Sequence, residues 1–102
     1  LAKRYRLQVQ TRARERGRLQ RGRFLFLKTL PASSRCSKFA VIVPASVLPK
    51  ATARNSLKRK LYDSLSPRCK MQPYKDVVIT VQGAARNAPI HAILEELSVL
   101  LG

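Results

Sequence analysis

The chain has 102 residues, of which 21 are Lys or Arg and 5 are Asp or Glu, so its formal net charge is +16. This length predicts a single domain, residues 1–102, with one modest core, and a compact domain of such charge repels itself unless a polyanion neutralises it. Composition therefore favours nucleic acid as the partner and an anionic membrane surface second, whereas no apolar run approaches the roughly 20 residues of a membrane span.

The charge is unevenly distributed along the chain. Residues 1–28 and 35–75 each carry a net charge of +9, whereas residues 76–102 carry −2. We therefore expect the first three quarters to bind the partner and the last quarter to be structural. The basic N-terminus is not followed by an apolar segment of signal-peptide type, which predicts a cytoplasmic protein with Cys36 and Cys69 as free thiols.

Residues 1–22 form a basic N-terminal segment with few large apolar side chains. A short helix that ends at Gly17 fits this segment, and so does an arm that becomes ordered only on RNA. The arginine content exceeds what solubility alone requires. This favours an arm that follows phosphates.

Two apolar stretches come next in the chain. Residues 23–30 predict a strand with two apolar faces, and residues 38–43, bounded by Pro44, predict a second strand. Because only a short turn separates them, we expect the two strands to pair antiparallel. The connection 44–50 contains two prolines and has room for a short strand at 46–48.

Residues 50–65 predict a basic helix with two different faces. Thr52 is a candidate cap, and Ser66 with Pro67 would end the helix. An apolar arc would dock on a sheet, and it consists of Ala53, Leu57, Leu61 and Leu65.

A neighbouring arc of the same helix, about 140° wide at 100° per residue, presents a row of donors. This arc consists of Arg54, Asn55, Lys58, Arg59 and Tyr62. The forked guanidinium of Arg and the compact ammonium of Lys both suit phosphate oxygens. A solvated basic face on an ordinary domain would show the same pattern, so this arc alone does not assign a function.

The last part of the chain predicts one more strand and one more helix. Residues 76–82 are the strongest strand candidate, residues 83–88 form a turn, and Pro89 opens a helix that Asn87 or Ala88 would cap. We expect Glu95 and Glu96 on its outer side and Gly102 at its end. Its broad apolar face consists of Ile90, Ile93, Leu94, Leu97, Leu100 and Leu101. The complete order of elements predicts an α+β two-layer sandwich.

Residues that could carry out bond chemistry are few and scattered. None of the five acids pairs with another at a spacing that would hold Mg²⁺; they are Glu15, Asp63, Asp76, Glu95 and Glu96. His91 is the only histidine and is expected at the surface, and no glycine-rich phosphate-binding motif occurs. We therefore expect no catalytic residue, no metal ligand and no small-molecule site in this chain.

Residues 47–62, VLPKATARNSLKRKLY, resemble the helix motif of the bacterial ribonuclease P protein subunit. The pattern Lys-Ala-x-x-Arg-Asn-x-(Leu/Ile)-Lys-Arg-x-(Leu/Ile) is filled from Lys50 to Leu61, with Ser56 where the family usually has a second Arg. Residues 21–31 and 39–46 resemble the strands before the motif, and residues 74–85 resemble the strand after it. The resemblance extends over about residues 15–102.

The resemblance implies a fold similar to the second domain of ribosomal protein S5. That fold has a short N-terminal helix, a mixed sheet of about four strands, a basic helix in a left-handed βαβ crossover and an apolar C-terminal helix. The implied function is that of the ribonuclease P protein subunit. In this ribonucleoprotein endonuclease an RNA subunit with Mg²⁺ removes the 5′ leader of precursor tRNA, and the protein binds both RNAs.

The resemblance also implies partners, a cofactor and site residues. The partners would be the catalytic RNA, with one protein per RNA, and precursor tRNA; Mg²⁺ would be held mainly by RNA. We expect Arg54, Lys58 and Arg59 to contact phosphates and Asn55 to orient the helix or bond a 2′-hydroxyl. The expected RNA-binding set is Lys50, Arg54, Asn55, Lys58, Arg59, Lys60, Tyr62, Arg21, Arg23 and Phe24.

Two questions stay open at the level of sequence. Phe24, Phe26 and Phe39 could be core residues or could stack on leader bases, and Tyr62 is open in the same way. Two other function classes also fit the charge. One is a ribosomal or other structural RNA-binding protein with an S5-like fold, and the other is a basic protein of DNA or membrane surfaces.

Overall fold

The computed structural model describes residues 5–7 and 15–102, which form an α+β fold with one sheet and two helices. The strands are β1 (Arg18–Arg21), β2 (Leu25–Pro31), β3 (Lys38–Ile42) and β4 (Lys75–Val81). The helices are α1 (Ala51–Leu65) and α2 (Ile90–Leu101), and short 3-10 turns at Ser66–Arg68 and Gly83–Asn87 follow α1 and β4. Among the helices that the structure describes, none combines the length and apolar character needed to cross a membrane.

The sheet is mixed, with strand order β1-β2-β4-β3. β2 pairs antiparallel with both β1 and β4, and β3 pairs parallel with β4. The predicted antiparallel pairing of the strands at 23–30 and 38–43 is therefore wrong, because β4 lies between them. The reason is that five of the seven residues of β4 are buried, and a strand that is buried on both faces belongs in the centre of a sheet.

Both helices pack on the same face of the sheet, which confirms the predicted two-layer sandwich. On this face Leu25 and Leu27 of β2 lie beside Val81 and Ile79 of β4. The helices complete the core with four buried side chains, which are Leu61 and Leu65 of α1 and Ile93 and Leu97 of α2. The predicted apolar arc of α1 therefore docks on the sheet, as its spacing indicated.

β1 is absent from the predicted elements, because its sequence, Arg-Leu-Gln-Arg, shows no apolar alternation. The strand exists through its ladder with β2, which pairs Arg18 with Thr29 and Arg21 with Phe26. A Cβ at Gly17 would collide with the carbonyl oxygen of Thr29, so the close approach to β2 requires glycine. Part of the segment 1–22 is therefore an edge strand, and the predicted helix or arm before Gly17 falls mostly outside the described residues.

The connection 44–50 is a turn and contains no short strand. The N–H groups of Val47 and Leu48 both donate to the carbonyl oxygen of Pro44, at 3.0 and 3.2 Å. Val47 is buried in the core, so the turn is anchored from inside.

The two helices begin without side-chain caps, and the cap predicted for each of them is wrong. Lys50 occupies the N-cap position of α1, so Thr52 lies inside the first turn. Pro89 occupies the N-cap position of α2, which places Asn87 and Ala88 before the helix.

Cys36 and Cys69 are both free. Cys69 is buried among the core side chains. Burial, with a smaller effect of Cys36, raises the pKa of the Cys69 thiol above its ordinary value. The thiol of Cys69 therefore stays protonated at neutral pH, and it packs as a small apolar side chain.

Candidate nucleic-acid interface

Helix α1 and its N-cap residue carry a group of donors. Lys50, Asn55, Arg59 and Lys60 are exposed, and Lys58 is half-buried. Helix α1 is described in full, and its first turn contains no acidic residue, so the positive end of the helix dipole adds to the charge of the side chains. Four cations and an amide on one exposed helix can neutralise several phosphates at once. We call these five residues the helix surface.

Arg54 lies on the same helical arc but is directed to its own chain. Its Nη1 donates to the carbonyl oxygens of Leu48 and Pro49, both at 2.8 Å. The geometry of the guanidinium is therefore set by the connection before α1. Periodicity assigns Arg54 to the phosphate-binding row, whereas the structure shows a side chain with two partners inside the protein.

Tyr62 is also committed to the fold. Its hydroxyl accepts a hydrogen bond from the backbone N–H of Val41 at 3.0 Å, and the guanidinium carbon of Arg6 lies 4.6 Å from its ring centroid. The segment 5–7 runs parallel to β3, where the N–H of Leu7 donates to the carbonyl oxygen of Phe39. Tyr62 therefore covers the outer edge of β3, and one face of its ring is occupied.

The face of the sheet opposite the helices carries a second candidate surface. Strand register places Arg21, Phe26, Thr80 and Ile42 in one row across this face. The guanidinium carbon of Arg21 lies 5.4 Å from the ring centroid of half-buried Phe26. An aromatic ring beside a cation suits an unstacked base and its phosphate. Phe26 is outside the predicted RNA-binding set, because the pairing that brings Arg21 beside it involves the unpredicted strand β1.

The turn between β1 and β2 carries a second arginine–phenylalanine pair. The guanidinium carbon of Arg23 lies 5.3 Å from the ring centroid of Phe24, which is half-buried against the core. Phe39, by contrast, is a core residue that is 2% exposed. The structure thus separates the three phenylalanines, with Phe39 inside and Phe24 and Phe26 at the surface, each beside an arginine.

This turn is held by Glu96, which is not on the outer side of α2 as its spacing suggests. The Glu96 carboxylate accepts hydrogen bonds from the N–H groups of Arg23, Phe24 and Leu25 at 2.6, 2.8 and 2.8 Å. A Cβ at Gly22 would lie 2.6 Å from the carboxyl carbon of Glu96, so a larger residue there would require the Glu96 side chain to shift. The side chains of Gln82 and Glu96 together fix the turn, because the Gln82 amide donates to the carbonyl oxygens of Gly22 and Leu25.

The acidic residues do not gather at either surface. Glu15, Asp63 and Glu95 are exposed, and Asp76 is buried in β4. Within residues 5–7 and 15–102, no group of three or more His, Cys, Asp or Glu side chains could hold a metal ion. His91 is exposed, as predicted.

Comparison with known proteins gives one family and one fold. The model of the ribonuclease P family matches residues 2–102, and no curated protein matches the chain. The structure of the Staphylococcus aureus RNase P protein superposes with a TM-score of 0.83 at 18% identity, covering 95% of this chain and 92% of that chain. The RNase P protein from Thermotoga maritima superposes with a TM-score of 0.80 at 19% identity, covering 94% of each chain. At these identities the two structures show the same fold.

Proposed function

Because this chain belongs to the ribonuclease P protein family, we propose that it is the protein subunit of the ribonucleoprotein that removes the 5′ leader of precursor tRNA. In this proposal the RNA subunit carries out the Mg²⁺-dependent cleavage, and the chain binds the catalytic RNA and the leader. The observation that carries the proposal is the helix surface on a chain with a net charge of +16. One protein binds one RNA, in the cytoplasm.

The helix surface binds the catalytic RNA through its phosphates. Lys50, Lys58, Arg59 and Lys60 supply charge, and binding releases the counterions that the phosphates had held. Asn55 can donate to and accept from a ribose 2′-hydroxyl, which distinguishes RNA from DNA. Such contacts fix orientation without reading base sequence. This suits a protein that recognises one folded RNA by its shape.

The leader binds at the second surface, along the row of Arg21 and Phe26 and at the neighbouring pair of Arg23 and Phe24. A single-stranded leader offers base faces to the rings and phosphates to the guanidinium groups. Both interactions tolerate any base, which fits leaders of varied sequence. Arg54 and Tyr62 share a helical arc with Lys58 and Arg59. Their hydrogen bonds to Leu48 and Val41 hold α1 in place on the rest of the chain.

Magnesium enters this proposal as a cofactor of the RNA. The acids of the described residues do not form a set that fits the ion, so we assign no magnesium ligand to this chain and route no step through one. The contribution of the protein is to neutralise phosphates where two RNAs approach each other. Protein and Mg²⁺ therefore compensate partly for one another.

The test is reconstitution with the catalytic RNA of the same cell. We expect no cleavage of precursor tRNA by the protein alone and faster cleavage by RNA with protein than by RNA alone at low Mg²⁺. The difference should narrow as Mg²⁺ rises, because the ions then screen the phosphates without help. If the protein leaves cleavage by the RNA unchanged at every Mg²⁺ concentration, the proposal is wrong. Co-sedimentation with ribosomal subunits in high salt would indicate a structural RNA-binding protein instead.

Arg59→Ala should weaken binding to the catalytic RNA by roughly 1–2 kcal/mol and lower the slope of log K against log salt by about one unit. Arg59 is exposed in the middle of α1, so the change removes one phosphate contact and leaves the core intact. Filter binding across a salt series measures both quantities. Lys70→Ala is the matched control, because it removes an exposed cation outside both proposed surfaces. An unchanged slope in Arg59→Ala would remove this residue from the contacts.

A further inference from the structure

The connection before α1 has an uncommon pattern of hydrogen bonds. Four successive carbonyl oxygens, those of residues 46–49, each accept from an arginine side chain. Arg54 donates to Leu48 and Pro49, both at 2.8 Å. Arg86 donates from Nε to Val47 at 2.9 Å and from Nη2 to Ser46. Carbonyls of an irregular surface segment are ordinarily solvated, whereas here two guanidinium groups bind a continuous run of them.

The two arginines come from two different elements, Arg54 from α1 and Arg86 from the turn after β4. The parallel register pairs Ile42 with Thr80, so the carboxyl ends of β3 and β4 lie side by side at the same end of the sheet. Arg86 lies in the 3-10 turn after β4 and is the only Lys or Arg in residues 76–102. Arg54 reaches back from the first turns of α1. The connection between them is therefore held from both sides.

A guanidinium suits this task better than other side chains. Its donors lie in one rigid plane, so a single side chain can bind two neighbouring carbonyls and fix their relative direction. The N-cap residue of α1, Lys50, makes no side-chain hydrogen bond to the first turn of the helix. The start of α1 is therefore not fixed by a cap. The buried Val47 anchors the connection at one point, and the two arginines set the path of its remaining backbone.

We propose that Arg54 and Arg86 form a carbonyl clamp that sets the position of α1 and thereby directs Asn55, Lys58 and Arg59 toward RNA. The inference rests on the proposed function, since it is the RNA-binding role of α1 that the clamp serves. Both arginines are positioning residues and make no phosphate contact of their own. This separates Arg54 from Lys58 and Arg59, with which it shares a helical arc.

The test measures binding of the protein to its catalytic RNA across a salt series, for Arg86→Gln, Arg59→Gln and the double variant. Arg86→Gln should lower affinity about three- to tenfold and leave the salt slope within half a unit of the original, because no phosphate contact is lost. Arg86→Lys should not restore affinity, since an ammonium cannot hold two carbonyls in one plane. Arg59→Gln should cost less affinity in the Arg86→Gln background than alone, because the clamp acts through the placement of α1.

The outcomes distinguish the clamp from the function. If Arg59→Gln alone changes neither affinity nor slope, the proposed RNA-binding surface is wrong. The other outcomes concern the clamp alone, given that Arg59→Gln has its expected effect. The clamp is overturned, and the function stands, if Arg86→Gln leaves the affinity unchanged or lowers the salt slope by a full unit. The same holds if the effects of Arg86→Gln and Arg59→Gln on affinity are simply additive. Should Arg86→Gln unfold, Arg54→Lys keeps the charge of α1 and removes the paired carbonyl contact. Lower affinity at an unchanged slope is expected for it, and unaltered affinity would overturn the clamp.

Discussion

Leu61→Ala is expected to lower the free energy of unfolding by about 2–4 kcal/mol. Leu61 is 0% exposed and lies in the apolar face of α1 that docks on the sheet. Truncation removes its contacts and leaves a cavity, which neighbours fixed in strands cannot refill. Urea unfolding followed by circular dichroism measures the loss, with the midpoint shifting while the slope in denaturant stays constant.

The matched control for this change is Leu19→Ala. Leu19 is 60% exposed on the edge strand β1, so the same truncation should change stability by no more than about 0.5 kcal/mol. Under conditions where Leu61→Ala remains folded, its affinity for the catalytic RNA should equal that of the original protein. Altered RNA binding with unaltered stability would mean that the two faces of α1 are assigned the wrong way round.

Glu96→Ala is expected to lower the free energy of unfolding by about 2–3 kcal/mol. The carboxylate accepts from three successive N–H groups, and hydrogen bonds to a charged acceptor are individually stronger than neutral ones. Partial exposure lets water replace some of this interaction, so the loss is smaller than three isolated bonds would give. The same urea experiment measures it. Binding of a leader RNA should weaken as well, because the turn carries Arg23 and Phe24.

The control for this change lies one residue away. Glu95→Ala removes the same charge from an exposed position of α2 and should stay within about 0.5 kcal/mol. Gly22→Ala should also destabilise the protein, because its new Cβ would crowd the Glu96 carboxylate, and it should cost less when Glu96 is already alanine. A loss from Glu96→Ala as small as that from Glu95→Ala would show that solvent replaces the carboxylate at no cost.

The arrangement of the core could be predicted from the sequence, because it depends on local patterns. The helical spacing of Leu57, Leu61 and Leu65 determines which face of α1 is buried, and the continuous apolar run of β4 indicates a strand of the core. β1 could not be predicted, since its four residues have no pattern of their own and are ordered by pairing with β2. Strand order likewise depends on which strand is buried on both faces, a property that appears only when the elements are assembled.

The candidate site also combines features that local sequence patterns predict with features that depend on how distant parts of the chain pack together. Periodicity groups Asn55, Lys58 and Arg59 on one arc of α1, where Asn55 and Arg59 are exposed and Lys58 is half-buried. It cannot tell that Arg54 turns to carbonyls of the preceding connection, because that depends on the path of residues 46–49. It also puts Glu96 on the solvent side, whereas a glycine 74 positions earlier in the chain opens the space for its carboxylate.

The cover over the outer edge of β3 has a consequence for the protein in the absence of RNA. An exposed strand edge can pair with a strand of another copy and start aggregation. Tyr62 occupies the N–H of Val41, and Leu7 occupies the carbonyl of Phe39, so this edge offers few groups for such pairing. At the opposite edge β1 presents the exposed side chains of Arg18 and Arg21, whose like charges repel a second copy. The sheet is thus protected at one edge by occupied hydrogen-bonding groups and at the other by charge.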